Sequence, residues 1–133
     1  MPVHAVGPFD VKLTPQEDKL DPTLGRMTID KQFHGDLDAT SKGQMLTAMS
    51  DVKGSAGYVA VERVTGILHT PKGNRDGSFA LLHRGIMTRG APELSVTVVP
   101  DSGTGQLTGL TGNMKINIVD GKHSYDFDYT LPE

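Results

Sequence analysis

The constraint that most limits this chain is alternation broken by glycine. It is clearest from Gly103 to Leu131, where Gly-Thr-Gly-Gln-Leu-Thr-Gly-Leu-Thr-Gly leads into an alternating run, Asp120-Gly121, and a second alternating run. Asp-Gly between two period-two segments is a strong short-range hairpin signal, because a two-residue turn with positive φ matches the twist of antiparallel strands. No window holds apolar residues at i, i+3, i+4 and i+7 over a helical length, so the chain reads as all-β. Sixteen glycines in 133 residues, against 5% aromatics, suit many turns and bends.

The strands follow in order. Phe9, Val11 and Leu13 alternate with Asp10 and Lys12. Thr14-Pro15-Gln16-Glu17 has the form of a capping box, but Pro22 limits any helix to a turn or two, so Thr14 to Gly25 is read as a polar connection. Arg26 to Thr40 is read as one long strand bent at Gly35, and Ser41-Lys42-Gly43 as a turn. Gln44 to Val52 has an ambiguous period and is assigned as strand from its neighbours. Tyr58 to Thr70, Phe79 to Met87 (bent at Gly85), Leu94 to Val99, Leu107 to Val119 and Lys122 to Leu131 complete the set, with Pro71 to Gly77 as a loop. About eight long strands in hairpin connection must dispose of their edges. The expectation is one domain, 1–133, folded as a closed antiparallel β-barrel, with a two-sheet sandwich as the alternative.

Composition excludes several functions. The net charge of −3, with signs mixed, does not suit nucleic acid. No cysteine means no disulfide, thiolate nucleophile or Cys-ligated metal. The N-terminal residues lack the basic and apolar regions of a secretory signal, and no apolar run nears the ~20 residues of a membrane helix, so a cytoplasmic protein is expected. Glycine-rich runs without a βαβ unit do not make a dinucleotide site, and no Gly-x-Ser-x-Gly elbow is present. No cofactor and no metal are assigned.

Candidate site residues are polar groups set into apolar stripes. Tyr58, Ala60, Glu62 and Val64 share one parity, as do Phe79, Leu81, His83 and Met87. Glu62 and His83 inside a barrel would make an acid–base couple, burial raising the carboxyl pKa and the histidine opposing it. The alternative is a satisfied structural pair, or a rim glutamate bonded to Arg63 or Arg84. Lys31 interrupts the Met27, Ile29, Phe33 stripe and either holds an anionic head group or snorkels to a rim. His123, Tyr125, Phe127 and Tyr129 form a wall with polar tips, suited to an apolar ligand with one polar end, or to core or a subunit contact. The opposite parity carries Asp30, Gln32 and His34, an alternative lumen set. His34, Asp36 and Asp38 at period two are either a cation site or a solvated face.

Several runs resemble a bacterial family of unknown function, DUF 3224. These are Ile29 to Leu37; Gly54 to Tyr58 with Glu62 to Gly66; Gly77-Ser78-Phe79 leading to His83; Met87 to Pro92; Val98 to Gly105; and Asp120 to His123 through Tyr129. That family is in turn distantly similar to the plant allene oxide cyclases, through Gly103 to Gly112, Tyr125-x-Phe127-x-Tyr129 and Lys31-x-x-x-Gly35-Asp36-Leu37. The resemblance implies an eight-stranded antiparallel barrel with a lipid-binding cavity. The cyclase pattern holds a water with an Asn and a Cys; the Asn position corresponds to Asp30 here and no Cys exists. It would also turn the Asp30 parity inward, whereas the apolar stripe argues that the Met27, Ile29, Phe33 parity faces in. Three functions stay open: a barrel binding a small, largely apolar molecule in its lumen, a cyclase or isomerase using Glu62 and His83, with Tyr125 as a further candidate, and a non-catalytic assembly protein. A homo-oligomer, with a dimer favoured, is expected.

Overall fold

The computed structural model describes residues 3–17 and 20–132. Eight antiparallel strands close in simple up-and-down order: β1 (Val3–Pro15), β2 (Leu24–Phe33), β3 (Leu37–Met49), β4 (Ala56–Thr70), β5 (Gly73–Thr88), β6 (Ala91–Val98), β7 (Thr111–Val119) and β8 (Lys122–Thr130). β8 returns to β1 through Val3↔Tyr129 to Phe9↔His123. Closure removes the free edges that a chain so rich in strand would otherwise expose.

Alternation sets the inside. Phe9, Ile29, Phe33, Leu37, Ala39, Val64, Phe79, Leu81 and Phe127 are all buried, while their sequence neighbours face outward. The apolar parity therefore faces in. The Asp30 parity lies on the outer surface, where Asp30 and His34 are exposed.

The two ends differ. At the base, where β2 turns to β3 and β6 connects to β7, the barrel is packed solid. The β6–β7 connection lies along the lower part of β5, which β6 does not reach: Val99 N–H donates to Ala80 O, Ala80 N–H to Ser102 Oγ, Thr104 N–H to Ser78 O and Asp76 N–H to Gln106 Oε1. These bonds replace the missing ladder and fold Leu107 and Leu110 under the core, where both are fully buried. The cost falls on the β6–β7 seam, where the ladder among the described residues is the single pair Thr97↔Asn113.

Several boundaries differ from the sequence reading for identifiable reasons. Arg26 to Thr40 is a hairpin: Gly35 (φ 89°) sits in the β2–β3 turn. Ser41-Lys42-Gly43 lies inside β3, and Gly43 marks a close approach of strands, since a Cβ there would stand 2.1 Å from Val61 O. The capping-box residues start no helix; β1 extends to Pro15 and Gln16 N–H donates to Arg26 O. The rest of that reading, at Asp18 and Lys19, lies outside the described residues. Gly73 to Gly77 belongs to β5, and Gly105–Leu107 is a single 3-10 turn preceding β7. Asp120-Gly121 is the β7–β8 turn, with φ of 52° and 76°.

The base is also held by Tyr125. Its hydroxyl donates to His34 O (2.6 Å) and accepts from Leu37 N–H (2.8 Å), fastening the β2–β3 turn to β8. Burial pushes the phenol up to about 12, so it remains a donor throughout the working pH range. Tyr125→Phe leaves the buried Leu37 N–H without this partner, and a loss of about 1–3 kcal/mol is expected in urea unfolding. A loss below a few tenths would show that the turn holds itself.

Candidate functional site

Four strands deliver one polar cluster to the barrel interior. The ladders place Lys31 (β2) opposite Ser41 (β3), Ser41 opposite Val64 (β4), Glu62 opposite Leu81 and Ala60 opposite His83 (β5). Barrel coiling offsets the strands enough to bring the four polar side chains together at Glu62. Glu62 is 2% exposed, His83 3%, Ser41 2% and Lys31 9%. Glu62 Oε1 accepts from Ser41 Oγ (2.6 Å), while Oε2 accepts from Lys31 Nζ (2.8 Å) and meets His83 Nε2 at 2.5 Å. Lys31 Nζ also stands 5.2 Å from the Phe9 ring centre and 5.7 Å from that of Phe33, where the aromatic faces add attraction for the cation.

Burial alone would push the Glu62 carboxyl up. The His83 hydrogen bond, the Lys31 charge and further contributions from both residues outweigh it and hold the pKa at about 2. Glu62 is therefore ionised and acts as an acceptor, not as a proton carrier near neutrality. An accepting carboxylate assigns the proton of a neutral His83 to Nε2. His83 Nδ1 has no hydrogen-bond partner among the described residues, and in that Nε2–H tautomer it is an acceptor.

Above the cluster the lining changes. Met27, Met45, Met49 and Met87 carry the inward parity at this end, with Met27 opposite Met45 and Ala56 between Met49 and Met87. On the other side Leu13, Leu94 and Ile118 share that parity yet are 44%, 44% and 64% exposed. Tyr58 closes one flank by lying over Gly85, whose absent Cβ would stand 2.2 Å from the ring. Its phenol is pushed up, first by burial and then by the Glu62 charge.

Lys31, Glu62 and His83 thus meet, with Tyr58 beside them. Arg63 donates to Ser78 on the outer face and takes no part. His123, half-buried, packs its ring 5.3 Å from that of Phe9. Tyr125 spends its hydroxyl on His34 O and Leu37 N–H at the base. Asp30, Gln32 and His34 stay on the outside, His34 against Asp10 (3.2 Å), and Asp36 accepts from Val6 N–H. His34, Asp36 and Asp38 are not gathered. The sequence reading missed Ser41, taken as a turn, though its parity with Ala39 pointed inward. It also missed His4, whose Nδ1 lies 3.1 Å from Asp126 and 2.6 Å from Asp128 on the outer face of β1 and β8.

A family model described as "Protein of unknown function (DUF3224)" matches residues 5–129. The chain belongs to the DUF3224 family. A crystal structure of a DUF3224 protein of unknown function from Shewanella oneidensis MR-1 is similar at 49% identity, with a TM-score of 0.91 over 100% of this chain and 99% of that one. No curated protein matches. No helix among the described residues is long and apolar enough to cross a membrane.

Because the folded pKa of Glu62 lies below its ordinary 4.5, the unfolded chain binds more protons between the two values. The contribution, on the order of 3 kcal/mol, is present above about pH 4.5 and lost as pH falls through about 2. Glu62→Gln strands the Lys31 cation and is expected to cost roughly 3–5 kcal/mol at pH 7. Chemical denaturation of both proteins from pH 7 down to pH 2 should show the gap closing with acid. A pH-independent gap would mean that packing, not charge, is what the substitution removes.

Proposed function

We propose that this barrel binds a small, largely apolar molecule at the mouth end of its lumen, polar end down against His83 and Lys31. The carrying observation is the buried Lys31–Ser41–Glu62–His83 cluster beneath methionines that share the inward parity, Met27 and Met45 half-buried and Met49 and Met87 exposed at the rim. Ionic groups so placed are costly unless paired; both Glu62 oxygens are bonded, Lys31 Nζ gives one of its three protons to Glu62, and His83 Nδ1 has no partner among the described residues. A ligand hydroxyl or protonated acid would satisfy that atom. Methionine, unbranched and polarisable, suits a mouth that adapts to an apolar guest. The lipid-binding cavity of the allene oxide cyclases, to which the Gly103 to Gly112 run is similar, agrees with a ligand of this class; the cyclase water-holding pair has no counterpart among the inward residues.

A second reading is favoured by the same atom. Glu62 orients His83 as a carboxylate orients a catalytic imidazole, which makes His83 rather than Glu62 the proton carrier of a cyclase or isomerase. Tyr58 is the neighbouring hydroxyl.

With 13C-methyl methionine, titration of medium-chain fatty acids and the matching alcohols should shift the Met27, Met45, Met49 and Met87 signals. Met114, buried in the packed base, should stay still. His83→Ala should weaken binding by about tenfold. Uniform silence of the four mouth methyls, together with nothing released on organic extraction of the purified protein, would remove the lumen reading.

A further inference from the structure

The outer wall of the same four strands carries a second surface. On β2 to β5 the outward rows read Leu24, Ala48, Gly57, Ile86 and then Arg26, Leu46, Val59, Arg84, each set side by side through the ladders. Gly57 contributes no side chain, and a groove of about 720 Å³ lies there. A neighbouring groove of about 580 Å³ continues past Leu46 and Val59 to Val61 and Leu82. Leu46, Val59, Val61 and Leu82 are between 47% and 54% exposed, which is unusual for aliphatic side chains set next to one another.

The side-chain charge that the groove lining turns outward has one sign. Arg26, Arg84, Lys42 and Arg63 line them, and the one acid in the lining, Glu62, turns its carboxylate into the barrel. Lys42 and Arg84 make no ion pair among the described residues. Such a face cannot meet its own image centre to centre, because like charges would oppose each other. At its edge stands the β1–β2 connection, which supplies the complement. Leu20 is 98% exposed there, flanked by the exposed acids Glu17 and Asp21 in a chain whose net charge is −3.

We infer that the occupant of this groove is a second copy of the chain, each copy laying its Leu20 connection into the arginine-flanked groove of the other. A two-fold axis near the groove edge makes the exchange reciprocal, covers the fully exposed leucine and sets Glu17 of one copy toward Arg84 of the next. The contact does not depend on a ligand in the lumen.

Sedimentation equilibrium of the intact protein over about a hundredfold range of concentration tests it. A dimer is expected, weakened at least about tenfold by Val59→Asp and by Leu20→Asp, both exposed positions whose melting curves should stay near wild type. Arg84→Glu should weaken it, and adding Glu17→Arg should recover the loss. A monomer at every concentration overturns the inference. So does a dimer indifferent to Val59→Asp and Leu20→Asp, which would place the interface elsewhere, and so does failure of the charge exchange, which would remove the connection from the groove.

Discussion

A carboxylate shut inside an apolar barrel must take every donor it needs from the strands around it. Glu62 takes one from each of three strands and leaves neither oxygen bare. This ties β2, β3 and β5 to β4 and pins the register of half the barrel. Slipping β4 by one residue would turn Glu62 into solvent and drive Arg63 inward, beside Lys31. Apolar packing alone would resist such a slip less sharply, because β4 carries Val59 and Val61 on its outer parity and would present an apolar row either way. The charged cluster supplies a discrimination that the aliphatic pattern of this strand lacks.

The packed base and the looser mouth follow from how the chain handles its weakest seam. β6 is short and leaves the lower edge of β5 without a strand. The following connection covers that edge, and Leu107 and Leu110 fill the space beneath. Tyr125 locks the turn on the opposite side. At the other end, methionines and a tyrosine laid over glycine take the place of the packed rings of the base, among them the stacked Phe79 and Phe127.

Much of this was legible in the sequence where a residue's parity is unambiguous. Phe79, Leu81 and His83 alternate so regularly that their shared face needed no coordinates, and Glu62 fell on the same face as Val64. The eight-strand count held for the same reason. What misled was glycine, whose backbone freedom serves opposite ends. Gly35 makes a turn where a bend within one strand was read, and Gly43 lies within a strand where a turn was read; local sequence does not distinguish them. The residue that decides, Val61 pressed against Gly43, is many positions away. Lys31 was undetermined for a related reason: whether a lysine in an apolar stripe reaches a rim or a carboxylate depends on which strand closes beside it. Inner and outer faces of a closed barrel also look alike to alternation when both carry aliphatic residues, so the apolar outer rows of β3 to β5 went unremarked.

Those outer rows bear on the interior through the thickness of one sheet. His83 faces the lumen and Arg84 the groove; Glu62 faces the lumen and Val61 the groove; Tyr58 crosses Gly85 while Gly57 floors the outer depression. On β3, β4 and β5 each member of the buried cluster therefore stands one peptide away from a member of the exposed face. Covering that face restrains the backbone from which His83 and Glu62 project, and the cluster in turn holds the face in register. The family likeness leaves the role of either side open, since a barrel of this shape hosts unrelated activities. In this chain the buried Lys31–Ser41–Glu62–His83 cluster and an arginine-flanked apolar groove are built on opposite sides of the same four strands.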